Sequence, residues 1–265
     1  VSYDNTESGL QSTTVKGAID ELYTECTKEP TAGETIIEDA GLEKDPYECR
    51  YFFTGANPNN YVTFNDEQAG WRIVSVECDG TIKIMKSESL GRQFWDTSGS
   101  NNWARPTSLN TYLNGTYYNG LNSTAQSQIV AKDWSIGSGS YGDSNITNQI
   151  KRENSTKWNG KVALVTMSEY IRSNSNKSSC GTFSLYNSNY SSCKNTTWMY
   201  NSSYNWWTLS RADNSNAVFR VGSDGYVTNR YGASASYSEL RPALYLSSEV
   251  TLTGSGTQSD PYTLE

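Results

Sequence analysis

WWTLSRADNSNAVFRVGSDGYVTNRYGASASYSELRPALYL, residues 206–246, holds three short apolar runs separated by two long polar connections. The runs WWTL (206–209), AVFRV (217–221) and LRPALYL (240–246) have the β-branched and aromatic content of strands. The middle run turns at Gly222-Ser223-Asp224-Gly225, where Asp-Gly supplies a positive φ at small cost. The connections carry Arg211, Asn214, Asn216, Tyr226, Asn229, Arg230, Tyr231 and Tyr237. Consecutive strands usually neighbour one another, so these eight residues are expected on one exposed polar-aromatic surface. Trp207, Leu209, Val218 or Phe219, Leu244 and Leu246 are expected in the core beneath it. Rigid sheets presenting Tyr- and Asn-rich loops are a common form of binding surface. The competing reading is that the loops are only solvated.

The 265 residues suit one large domain, or one domain with an appendage. Hydrophobic content is 35%, but 8 Trp, 19 Tyr and 6 Phe fill a core with few residues. The net charge of −7 lacks the basic face that binding to nucleic acid requires, so none is expected as a partner. No apolar run approaches the roughly 18 residues of a membrane span. The chain opens without Met in a linker-like stretch, so an anchor upstream of residue 1 is the expected route to a membrane. Five cysteines in a Ser/Asn/Tyr-rich chain point to an oxidising, extracellular setting. The odd count leaves one thiol single or paired outside the chain. The absence of His excludes Ser-His-Asp triads, Cys-His pairs and histidine metal sites. With no CxxC, GxSxG, P-loop or dinucleotide fingerprint either, no enzyme, cofactor or metal is expected.

Residues 1–46 form a first segment. A polar stretch, SYDNTESGLQSTT, precedes TVKGAIDELYTEC, in which Val15, Ala18, Ile19, Leu22 and Cys26 fall on one helix face. Thr13 or Thr14 serves as N-cap. One such helix cannot stand alone; it either packs on the main domain or self-associates, giving a route to oligomers. The stretch resembles a segment at the start of exported bacterial surface proteins and of some phage tail fibres. Residues 27–46 are acidic and expected as a linker or covering loop.

The main domain, residues 47–265, opens with strands at 49–53 and 61–64 around the turn cluster GANPNN. A hairpin follows at 70–76 and 81–86, turning at Glu77-Cys78-Asp79-Gly80. Its second strand alternates, with Ile82 and Ile84 facing one way and Lys83 and Met85 the other. "GANPNNYVTFN…GWRIVSVECDGTIKIMK", then "VALVTMSEY", "WWTLSR", "VGSDGYV", "LRPALYL" and "GSGTQSDPYTL", in this order, resemble a lectin-like domain family of Gram-positive surface proteins. That family is similar in fold to formylglycine-generating enzymes and retroelement-diversified receptors, which implies a C-type-lectin-like fold that binds through its C-terminal loops. The reactive cysteines and histidine-ligated iron of the enzymatic relatives have no counterpart here. Trp158 is followed by Asn159 and Gly160, so the acidic member of a lectin calcium triplet is missing and no calcium site is expected. The Asn/Tyr/Ser bias of residues 211–216 and 229–237 resembles retroelement diversification, but it pervades residues 174–205 as well.

Helical spacing predicts short helices within 106–117 and 124–130. Trp95, Trp103 and Trp134 are expected as core. Residues 134–158 look like a long polar insertion, 161–166 a strand and 168–172 a turn or short helix. Cys180 and Cys193 bracket twelve polar residues and are expected to close a disulfide loop contributing about 3 kcal/mol. Cys26 is expected to pair with Cys49, leaving Cys78 single.

The expected architecture is α+β: a C-type-lectin-like mixed sheet with two short helices and long polar loops, plus an N-terminal helix. One sheet is expected to contain 162–166, 217–221 and 240–246. Two functional classes stay open. One is an extracellular adhesin or receptor-binding module whose partner is a protein or glycan on another cell surface. The other is a structural protein of an envelope, pilus or phage tail.

Overall fold

The computed structural model describes the chain apart from Val1, Tyr3, Glu7, Lys28, residues 141–144 and 181–192, Asn214, Arg230, Tyr231, Ser236 and Tyr237, and apart from the side chains of Glu25, Cys26 and Thr27. It divides into two units, Val1–Thr31 and Ala32–Glu265.

The first unit is built on helix α1 (Val15–Thr27). The Thr14 hydroxyl accepts the Gly17 N–H at 3.1 Å, and the Glu21 carboxylate accepts the N–H groups of Gln11 and Ser12, tying the preceding segment to the helix. Val15, Ile19, Leu22 and Tyr23 are exposed.

In the second unit, Arg50–Phe52 (β1), Tyr61–Phe64 (β2), Glu67–Glu77 (β3) and Ile82–Lys86 (β4) belong to a nine-stranded mixed sheet. Its path runs Val162–Ala163, Ala243–Leu246, β4, β3, β2, Tyr262–Leu264 and Leu252–Thr253, with β1 added on β3 and Ile129–Val130 on Ala243–Leu246. The alternation expected of residues 82–86 is not a core face and a solvent face. All five residues are buried, because elements cover both sides of this sheet. A second, six-stranded sheet is the meander Trp206–Ala212, Val218–Val221 and Val227–Thr228 with Ser238–Glu239, Arg92–Gln93 and Ser138–Gly139. The single sheet expected to join 162–166, 217–221 and 240–246 is therefore two. The middle run pairs with 206–212, while the other two runs flank each other. Only Val162 and Ala163 of the expected 161–166 strand pair, although Leu164 and Val165 are also buried.

The acidic stretch expected as a linker contains helix α2 (Ala32–Asp39), whose Ile36 is fully buried in the main core. The predicted helix at 106–117 forms as α3 (Ser108–Tyr112), capped by Thr107, and continues as a π-helical turn, Leu113–Tyr117. Helix α4 (Ser123–Gln128) is capped by Asn122. Residues 134–158 are not a plain insertion. They contain α5 (Ile146–Asn154) within a hairpin of Lys132–Ser135 and Lys157–Gly160. Trp134, Ile136, Ile146 and Ile150, spread across the stretch, are its buried face. Two short helices were expected; the described residues hold more, and the fold is mixed α+β. Trp95, Trp103 and Trp134 are core, as are Trp207, Leu209, Val218, Phe219, Leu244 and Leu246.

Cys180 and Cys193 are bonded. The expected Cys26–Cys49 bond is not formed: Cys49 pairs with Cys78, which sits directly across from it. Residues on opposed antiparallel positions bring their Cβ atoms to disulfide distance without moving the backbone, and the first strand of the main domain supplies that register through Arg50↔Glu77.

Candidate functional site

The loop surface expected from sequence is built in part. At one end of the meander, the Ala233 N–H donates to the Asn216 carbonyl at 2.9 Å and Ala217 bridges Gly232, so the two connections do meet. The Asn101 amide reaches in from outside and donates to the carbonyls of Ala212, Ser215 and Ala217 at 3.2, 2.7 and 3.1 Å. Asn216 is exposed there, while Arg211 and Asn229 are half-buried. Tyr226 does not join them. The turn places it at the opposite end of Val218–Val221, roughly 13 Å away at the usual strand rise. It is half-buried and packs against the core. The turn itself takes the expected form, with Gly225 at φ +88°. Asn214, Arg230, Tyr231 and Tyr237 lie outside the described residues.

Sequence reasoning missed a cluster of ionisable groups inside the fold. Helix α6 (Met167–Arg172) begins with a capping box: Thr166 accepts the Glu169 N–H, and Glu169 Oε2 accepts the Thr166 N–H at 2.7 Å. This fixes Glu169 so that Oε1 accepts from Lys83 Nζ at 2.5 Å and from Arg50 Nη1 at 3.0 Å. Arg50 also lies 3.3 Å from Glu77, its register partner. One turn further along α6, Arg172 donates to Asp45 at 2.8 Å and to Glu48 at 2.7 Å, with its guanidinium over the Phe52 ring. Glu153 of α5 accepts from the hydroxyls of Ser168 and Ser210. The Lys83 ammonium lies over the rings of Trp134 and Tyr245 at 4.6 and 5.1 Å.

Burial pushes the carboxyls of Glu77 and Glu153 up, and it pushes the Lys83 ammonium down. Burial also opposes ionisation of Glu48 and Glu169, but it is outweighed. Arg50 and Arg172 hold Glu48 down at about 2, and Lys83 and Arg50 hold Glu169 below its ordinary value. The space inside the cluster is about 20 Å³, room for a single water. No reactant fits there.

These shifts set the pH profile of stability. The depressed pKa of Glu48 contributes stability that is complete above the unfolded value of 4.5 and is lost as pH falls toward about 2, worth roughly 3 kcal/mol. Glu77 and Glu153, with raised values, act with the opposite sign: they stabilise below 4.5 and less so as pH rises through their native values. From acid toward neutrality the melting temperature is therefore expected to rise as Glu48 ionises and then to fall as Glu77 and Glu153 ionise. Calorimetry across the acid and neutral range, with Glu153→Gln flattening the alkaline flank, checks this; a plateau from acid to neutral contradicts it.

The cluster borders open space on one side. A cleft of about 1180 Å³ is lined by buried Phe52, Phe53, Ile146, Ile171 and Tyr262, with Arg172 and Asp45 shared with the ion cluster. Residues 39–47 form one wall and residues 175–178 another, where Lys177 faces Glu43 at 3.8 Å. Tyr47 stands on the rim, 45% exposed. The signal that could have found this cleft is slight: Phe52-Phe53 beside the polar GANPNN turn, with nothing in periodicity to say what faces them.

A family model described as Domain of unknown function (DUF6273) matches residues 79–248. The chain belongs to that family. No curated protein matches the chain, and no solved structure does. The DUF6273 span contains Lys83, Glu153, Glu169 and Arg172, together with the whole 206–246 meander. Residues 39–59 of the cleft, with Glu48, Arg50 and Glu77, precede it.

Proposed function

We propose that this DUF6273 chain is an extracellular ligand-binding module of C-type-lectin-like fold, without catalytic activity, that engages a protein or glycan on another cell surface. The observation carrying this reading is the cleft: about 1180 Å³ with an aromatic and aliphatic floor, a polar rim and an exposed Tyr47, the mix typical of sites that hold a ligand and fix its orientation. The ion cluster supports a non-catalytic role, since its buried Lys83, Arg50 and Glu169 are paired with one another and Glu153 is taken up by two serine hydroxyls. Two disulfides, and helices of which none is long and apolar enough to cross a membrane among the described residues, are compatible with an extracellular setting. The lectin-like assignment draws on the ordered motifs and on short helices beside mixed sheets.

The 211–216 and 229–233 connections are a second candidate surface, favoured by their direct contact through Asn216 and Ala233. A glycan and protein array separates the readings. Tyr47→Ala and Ser175→Trp alter the cleft from its rim and are expected to weaken binding by about 1 kcal/mol or more. Arg211→Ala with Asn216→Ala is expected to leave binding intact. The reverse pattern moves the site to the loops. An array with no specific binder supports the structural-protein class instead.

A further inference from the structure

The two disulfides occupy opposite environments. Cys180 and Cys193 are 3% and 2% exposed. Cys49 and Cys78 are both exposed at the sheet surface, though the residues beside them, Glu48, Arg50 and Glu77, all belong to the buried ion cluster. An exposed disulfide admits an external thiolate along the sulfur–sulfur axis, and exposure is what separates labile from permanent bonds.

The position of this bond gives its reaction a consequence. The Cys49–Cys78 bond ties the end of β3 covalently to the segment that runs from the cleft wall at Asp45 and Tyr47 into β1. Noncovalent attachments of the wall include Arg172 to Asp45 and Glu48, Asn154 to Glu48, Lys177 to Glu43, the Asp45 N–H to the Arg50 carbonyl, and the Cys78 N–H to the Cys49 carbonyl at 3.1 Å. These can open and reclose; the disulfide cannot.

We propose that Cys49–Cys78 is a thiol-exchange site, reactive toward small-molecule or protein dithiols, and that it latches the cleft wall. A thiolate of the dithiol attacks one sulfur, the Cys49–Cys78 bond breaks and the other sulfur leaves as a thiolate. The second thiol of the reductant then displaces the first, so that the chain gains two thiols and the reductant becomes a disulfide. That reduction weakens ligand binding rests on the cleft being the binding site; the exchange and the loosening do not.

The test uses the intact chain under native conditions with dithiothreitol, trapping thiols by alkylation and mapping them by mass. Cys49 and Cys78 are expected to be labelled at least about tenfold sooner than Cys180 and Cys193, in keeping with their exposure. Equal labelling, or earlier labelling of the buried pair, overturns the exchange site. In the selectively reduced protein, amide exchange across residues 44–53 is expected to rise about tenfold, with Trp206–Ala212 unchanged. Unchanged exchange at 44–53 overturns the latch, and global loss of protection overturns it too, because the bond would then hold the fold rather than the wall. Cys49→Ser with Cys78→Ser should reproduce the reduced pattern without dithiothreitol. Loss of array binding in the reduced protein is read separately, so a cleft that binds nothing leaves both results standing.

Discussion

Replacing Lys83 by Met is expected to lower stability by about 3–5 kcal/mol, although the side chains are similar in length and the site is already apolar on two sides. Lys83 is 2% exposed, with its ammonium between Glu169 and the rings of Trp134 and Tyr245. Its removal leaves Glu169 inside the fold with Arg50 alone, and Arg50 is already shared with Glu77 and Glu48. The cost arises from the stranded carboxylate rather than from lost packing. Adding Glu169→Gln should therefore recover much of the loss, because a neutral amide needs no counter-charge and still completes the capping box on Thr166. Urea unfolding of the single and double variants measures both steps. A double variant no more stable than Lys83→Met would show that packing, not charge, governs the position.

Trp134→Ala is expected to cost a similar amount, about 3–5 kcal/mol, through a different route. The indole is 1% exposed, meets Tyr245 edge-on with centroids 4.8 Å apart and donates to the Gly160 carbonyl at 2.9 Å. Truncation opens a cavity under the Lys132–Ser135 hairpin and strips the ammonium of Lys83 of one apolar cover. Once water reaches that cavity, Lys83 and Glu169 are solvated and less demanding. The two substitutions are thus expected to be sub-additive, with Lys83→Met costing less in the Trp134→Ala background by about 1 kcal/mol or more. A double-mutant cycle in urea reports this coupling, and strict additivity would refute it.

The parts of the fold legible in the sequence are those set by local pattern. Thr14 as cap, the Gly222–Gly225 turn, the β2–β3–β4 run and the burial of Trp207, Leu209 and Leu244 all follow from spacing, turn chemistry and hydrophobicity over a few residues. Pairing between distant segments was not legible. Val218–Val221 reads the same whether it lies in one sheet or another, because a short apolar run does not encode its partner. Residues 134–158 look polar because Ile146 and Ile150, one helical turn apart, stand among Asn, Gln, Lys and Arg. The ion cluster was hidden for the opposite reason: Arg50, Lys83, Glu153 and Glu169 look like solvent-facing charges until tertiary packing brings them together from β1, β4, α5 and α6. Cys49–Cys78 follows from a strand register that spacing between cysteines cannot supply.

The Asn101 amide has two N–H groups and meets three carbonyls, all of them main-chain oxygens of the 212–217 bend. The path of that bend is thus held from outside by a side chain that reads backbone and ignores residue identity. The exposed Asp213 side chain, 3.9 Å from Arg152, can be exchanged for others without the fold having to renegotiate that path, whereas the Ser215 hydroxyl accepts the Ala217 N–H at 3.2 Å and helps to set it. At Asp213 the protein carries a position whose spelling is decoupled from its conformation, free to drift under selection for what it touches while the scaffold stays as it is.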